Sequence, residues 1–232
     1  EAQKTGEWKG GIGKLIDARL DGQAAALIAP YLAAVRVAGG DGALKKYPGS
    51  PLIARHLLRK QDRLLAIELH PRDAAALKAL FAGDYQARVI ELDGWLALGA
   101  HLPPKEKRGL VLIDPPFEEE GEFCRLLDGL VRAYKRWPGG IYALWYPIKN
   151  RAAVAAFRRA LAESGIAKVL DIAFEIRPAA PVSTLDGSGM VVVNPPYTLE
   201  SELRTVLPAL HKLLAVQESA RWSLDWLAGD QA

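Results

Sequence analysis

Short apolar runs alternate with longer amphipathic stretches from about residue 63 onward. RLLAIE (63–68), ARVIELDG (87–94), RGLVLIDPPF (108–117) and IYALWY (141–146) have the length and β-branched content of buried strands. Between them, DAAALKALFAG (73–83), residues 120–137 and residues 150–164 carry helical periodicity, and Gly83 closes the first of these helices. Strands separated by helices of this length predict a parallel sheet with crossover helices. Upstream, Ser50 is expected to cap a helix over 52–60. Pro51 stands in its first turn, and Ile53 and Leu57 share one face. Residues 1–46 read as helical, rich in alanine and leucine, with breaks at Gly10-Gly11 and Gly39-Gly40.

The C-terminal part follows a different rule. KVLDIAFEI (168–176) and GMVVVN (189–194) are joined only by a loop rich in proline, alanine, serine and glycine. With no helix to carry a crossover, they pair antiparallel. A parallel sheet finishing in an antiparallel hairpin is the outline of a Rossmann-like α/β methyltransferase sheet.

Composition narrows the class. A chain of 232 residues, half hydrophobic and a quarter charged, makes one large domain, or one domain with a small insertion. The longest mostly apolar stretch, 24–35, is too short for a bilayer and contains Pro30, so it reads as a buried helix. The single cysteine, Cys124, excludes a disulfide scaffold and a cysteine-rich metal site, and fits a reducing, cytoplasmic setting. His56, His70, His101 and His211 show no ligand spacing, so no metal is expected. A net charge of +3 is compatible with nucleic acid but decides nothing. The chain opens on Glu1 and runs at once into a helical approach, which leads us to expect a further segment ahead of it. Nothing signals an oligomer, and a monomer is expected.

In an open α/β sheet, ligands sit outside the carboxyl ends of the strands. Three successive strands end in acids, Glu68, Asp93 and Asp114, each one strand–helix unit after the last, so all three are expected to face one crevice. Glu68 is placed to accept a ribose's two hydroxyls. Asp93 with Gly94 can approach an adenine ring, glycine letting the backbone come close. As isolated residues, such acids would simply be solvated turn starters.

The sharpest signal is Asp114-Pro115-Pro116-Phe117. Two prolines after a buried strand remove two donors and leave carbonyls free to accept. An adenine amine has two N–H donors and a nitrogen lone pair drained into the ring. A carboxylate from Asp114 and a carbonyl from Pro115 would take those hydrogen bonds and aim the lone pair, while Phe117 stacks on the base. The bland reading is a rigid turn with Phe117 in the core. A second copy, Asn194-Pro195-Pro196-Tyr197, ends the last strand of the hairpin, where a structural role is expected. Tyr142, Trp145, Tyr146 and Pro147 either wall a base pocket or pack the core. Ser50 could also reach a cofactor carboxylate through backbone amides near its helix start. Basic clusters at Lys45-Lys46, Lys105/Lys107/Arg108, Arg132/Lys135/Arg136 and Lys149/Arg151/Arg158/Arg159 are solvated faces or phosphate contacts. Cys124 and Met190 are expected in the core.

Taken together, YPGSPLIAR (47–55), IELHP (67–71), LDG (92–94), LIDPPF (112–117), YALWYP (142–147) and GSGMVVVNPP (187–196) resemble the bacterial RlmJ family. The resemblance runs in order over essentially the whole chain. It implies S-adenosylmethionine-dependent methylation of adenine N6 in 23S ribosomal RNA. Asp114, Pro115 and Phe117 would form the catalytic motif, with Asp114 also against the cofactor. Ser50, Glu68, Asp93 and Gly94 would contact S-adenosylmethionine. Residues 1–46 would form the family's small helical insertion and 47–232 the Rossmann-like core. The family's first strand and glycine-rich loop are not recognised in this sequence.

Two other functions share these features. A DNA adenine-N6 methyltransferase uses the same motif but usually carries a sizeable target-recognition region, for which there is no room. A non-catalytic, methyltransferase-like nucleic-acid-binding domain would keep the fold and lose the cofactor loop. A nicotinamide dehydrogenase would need a G-x-G-x-x-G loop and leaves the double proline unexplained.

Overall fold

In the computed structural model, residues 7–20, 22–39, 46–179 and 184–229 are described. The glycine break at Gly40, the basic residue Lys45 and part of the loop ahead of GMVVVN lie outside them. The chain divides into two compact units, residues 1–100 and 101–232.

In the first unit a 3-10 turn (Glu7–Lys9) precedes helices α1 (Ile12–Asp17), α2 (Gly22–Gly39) and α3 (Ser50–Leu57). Strand β1 (Leu64–Glu68), helix α4 (Pro71–Leu80), strand β2 (Ala87–Glu91) and helix α5 (Gly94–Ala100) follow. β1 and β2 pair in parallel, with Glu68 opposite Glu91. Gly83 supplies the left-handed turn after α4, at φ 82°. Arg55 of α3 forks onto Asp84 at 2.5 Å, tying that helix to the approach to β2. One expectation is corrected here. The N-cap of α3 is Gly49, whose carbonyl accepts from Leu52 and Ile53, and Ser50 is already the first helical residue with no capping bond from its side chain. Pro51 prefers the first turn, and Gly49 in extended conformation takes the cap position one residue earlier.

The second unit contains β3 (Leu110–Ile113), α6 (Glu122–Arg136), β4 (Ile141–Ile148), α7 (Arg151–Ala162), β5 (Val169–Glu175), β6 (Gly187–Val193), α8 (Leu199–Leu214) and β7 (Trp222–Ala228). They build a five-stranded sheet in the order β3-β4-β6-β5-β7. β3 and β4 are parallel, whereas β4–β6, β5–β6 and β5–β7 are antiparallel. The expected hairpin is present, and β7 adds a third antiparallel strand beyond it. Among the described residues, parallel pairs are β1–β2 in the first unit and β3–β4 in the second.

β4 is buried along nearly its whole length, as a central strand covered on both faces should be. On one face Leu170, Ile172, Val192, Leu207 and Leu224 form a core cluster with α8, and Met190 packs against it. α6 buries Glu122, Leu126, Leu130 and Ala133, spaced as one helical face. Cys124 falls off that stripe and is exposed, contrary to its expected place in the core. Among the described residues no helix is long and apolar enough to cross a membrane.

Candidate active site

β3 delivers Asp114 to its carboxyl end, and Pro115 is buried directly behind it. Asp114 keeps contact with solvent, yet the surrounding protein removes enough water to push its carboxyl above the ordinary aspartate range. The chain then turns at Phe117, whose φ of 53° is left-handed. For a bulky residue without a short polar side chain this is a strained conformation. Aromatic contacts hold it there. The Phe117 ring meets Phe123 edge-on at 5.0 Å and Trp145 at 5.9 Å. Phe123, in the first turn of α6, continues to Phe157 at 5.0 Å and Tyr146 at 6.2 Å. Sequence reasoning did not single out Phe123. Its signal was an aromatic residue just after Gly121, the left-handed N-cap of α6.

β4, the strand beside β3, divides the aromatic candidates. Tyr142 is fully buried, and its hydroxyl donates within reach of the Ala133 and Trp137 carbonyls. Tyr146 is equally buried and donates to Asp171 at 2.7 Å. Pro147 is buried. Trp145 alone of the four is partly open and touches Phe117, while the others pack the interior.

The two proline-proline motifs have different surroundings. β6 runs antiparallel to β4, with Val193 opposite Tyr142, whereas Ile113 of β3 lies opposite Leu144. Asn194 therefore leaves the sheet at the end opposite Asp114. Its Nδ2 donates to the carbonyls of Pro138 and Gly140, both at 2.8 Å, and its own amide donates to Lys168. Asn194 also takes a left-handed φ of 53°, which asparagine tolerates. Its side chain is spent on holding the turn before β4, and Tyr197 is almost wholly exposed.

In the first unit, Glu68 and Asp93 sit at the carboxyl ends of the adjacent parallel strands β1 and β2. Glu68 accepts from the His70 amide at 2.8 Å and Asp93 from the Trp95 amide at 2.7 Å, so each anchors its own turn with one oxygen. At Gly94 no atom lies within 4 Å of where a Cβ would stand, so no neighbour in the chain demands glycine there. An open backbone beside two strand-end carboxylates fits a nucleoside: acceptors for ribose hydroxyls and room for a ring. Ser50 stands at the start of α3. Asp114, Pro115 and Phe117 belong to the second unit. Among the described residues no three His, Cys, Asp or Glu side chains gather as a metal site would require.

A family model described as "Ribosomal RNA large subunit methyltransferase D, RlmJ" matches residues 1–228. The chain is 41% identical over 226 residues to "Ribosomal RNA large subunit methyltransferase J" of Escherichia coli, covering 97% of this chain and 80% of that protein. It is 40% identical over 228 residues to the Haemophilus influenzae protein of the same description, covering 98% and 80%. Among solved structures, protein LPL1258 from Legionella pneumophila superposes with a TM-score of 0.87 at 32% identity, covering 98% of this chain and 82% of that one.

Proposed function

From the premise that the chain belongs to the RlmJ family of ribosomal RNA large subunit methyltransferases, we propose that it methylates the exocyclic N6 amine of an adenine in 23S ribosomal RNA. The observation that carries this reading is Asp114 beside a strained, half-open Phe117 at the carboxyl end of β3. S-adenosylmethionine, when bound, supplies a methyl group on a positively charged sulfur.

The residues of the chain then supply orientation and polarity. Phe117 offers a face to an extruded base, and Trp145 closes one side of it. Asp114 accepts one N–H of the amine and the Asp-Pro-Pro backbone offers a carbonyl for the other, which aligns the nitrogen lone pair. An amine that takes on a methyl group must give up one proton. The desolvated Asp114 carboxylate, more basic than a solvated one, is the nearby group suited to receive it. Glu68, Asp93 and Gly94 would hold the nucleoside of the cofactor, with Ser50 near its carboxylate. The helices before Tyr47 form the small insertion of this reading. A cytoplasmic setting is supported by the substrate class and by the exposed free thiol of Cys124.

The test is mass-spectrometric counting of N6-methyladenosine in unmodified ribosomal RNA incubated with S-adenosylmethionine and the protein. The Asp114→Ala variant is expected to transfer methyl groups roughly 10²–10⁴-fold more slowly. A folded variant that turns over at the wild-type rate overturns the assignment of Asp114. Wild-type protein that binds cofactor and yields no N6-methyladenosine overturns the function.

A further inference from the structure

The end of the second unit's sheet that carries Asp114 also carries an unequal distribution of charge. β4 leaves the sheet there through Lys149 and Arg151, β5 through Glu175 and Arg177, and β7 enters through Arg221. In strand order these residues run from the neighbour of β3 to the far edge. At about 4.8 Å between strands, the row extends roughly 19 Å sideways from Asp114. That is enough to accompany a few nucleotides.

The row is organised around one buried carboxylate. Glu175 pairs with Arg151, and its Oε1 accepts from Arg221 Nε at 2.9 Å. Two guanidinium groups are fixed by one negative charge, so the trio keeps a net positive charge. Arg177 and Lys149 add to it with no ion-pair partner among the described residues, while buried Asp186 and exposed Glu218, in the turn before Arg221, are further acids at this end. The N-terminus of α7, at Arg151, adds its positive dipole end.

We propose that Arg151, Arg177 and Arg221, with Lys149, form a second binding surface that takes the sugar–phosphate backbone of the RNA beside the target adenine. The inference rests on the RNA-methylating reading above and lays the strand from Asp114 along this end of the sheet toward β7. Two other basic residues of the same region are excluded. Arg158 is committed to Asp171 and Asp225, and Arg159 lies about 12 Å further along α7 than Arg151.

The experiment is fluorescence-anisotropy titration of a labelled single-stranded RNA oligonucleotide containing adenine, over a series of salt concentrations. Methyl transfer to the same RNA is measured in parallel. Arg221→Ala and Arg177→Ala are each expected to weaken binding about tenfold and to reduce the slope of log affinity against log salt by about 0.7. Arg221→Lys should restore the slope, and Arg159→Ala should leave both quantities unchanged. Arg221 is exposed, so its truncation tests the surface even where Arg177→Ala disturbs the fold. Wild-type slopes in folded Arg221→Ala, or an equal loss in Arg159→Ala, overturn the proposal. Absence of methyl transfer by wild-type protein that still binds RNA with the expected slopes overturns the function and leaves this surface standing.

Discussion

The Tyr146 hydroxyl donates to Asp171 at 2.7 Å in a part of the second unit where both side chains are sealed from water. Arg158 Nε reaches the other Asp171 oxygen at 3.0 Å and also pairs with Asp225 on β7. Burial pushes the Asp171 carboxyl upward, against the pull of the Tyr146 hydrogen bond and the Arg158 charge. This polar network lies behind the aromatic group that supports Phe117, because Tyr146 also contacts Phe123 and Phe157. Removing Asp171 would leave the Tyr146 hydroxyl without its acceptor in the interior and take from Arg158 one of its two carboxylates. Asp171→Ala is expected to cost about 3–5 kcal/mol. Tyr146→Phe, which leaves one carboxylate oxygen unpaired, is expected to cost about 1–3 kcal/mol. Urea denaturation of the two variants checks both values and their order.

The same tyrosine explains a glycine. A Cβ on Gly189 would stand 2.0 Å from Tyr146 Cζ, so β6 must be bare where the ring crosses it. Gly189→Ala is expected to destabilise by about 1–3 kcal/mol through overpacking. Because the two positions share one space, the cost should fall sharply in a Tyr146→Ala background. A double-mutant cycle by denaturant unfolding reads this coupling, and strictly additive losses would contradict it.

Most elements were legible in the sequence because apolar runs and helical periodicity report burial directly. RGLVLID and GMVVVN are such cases, and the loop between the last two runs fixed their antiparallel pairing. β7 was not legible, since WSLDWLA breaks its apolar run with Asp225, whose charge is met by Arg158 of α7. α8 contains Pro208, which weakens a helical reading that packing against the core overrides. At the site, spacing placed Glu68 and Asp93 on neighbouring strand ends and Asp114 at the end of β3. It could not show that Tyr142 and Tyr146 turn inward while Trp145 meets Phe117. That division depends on which face of β4 each residue presents and on the partners waiting there.

The two proline-proline motifs should separate cleanly by experiment. Asn194 holds two carbonyls of the turn ahead of β4, so Asn194→Ala is expected to lose about 1–2 kcal/mol of stability. Its methyl transfer per folded molecule should remain near wild type. Asp114→Ala should show the reverse, with its melting temperature maintained and transfer lost. Thermal melts combined with N6-methyladenosine counting distinguish the pair, and loss of transfer in folded Asn194→Ala would point to the second motif instead.

The elevated Asp114 carboxyl gives a pH dependence of known sign. Burial raises this group in the folded state, so its protonated form is favoured relative to the unfolded chain. The stabilising contribution is complete below the unfolded value and is lost as pH rises through the folded one, so ionised Asp114 is held at a cost to the fold. Transfer needs the ionised form, because a protonated carboxyl is a poorer acceptor for the amine. The rate is therefore expected to rise with pH through a limb lying above the ordinary aspartate range, and to fall as pH drops through it. Asp114→Asn removes the titrating group. That variant should lose the limb and most of the activity, while near neutral pH its melting temperature equals or exceeds that of the wild type. Single-turnover rates across pH, paired with melts at each pH, test both halves together. An acid limb that survives in Asp114→Asn would assign the titration to another residue.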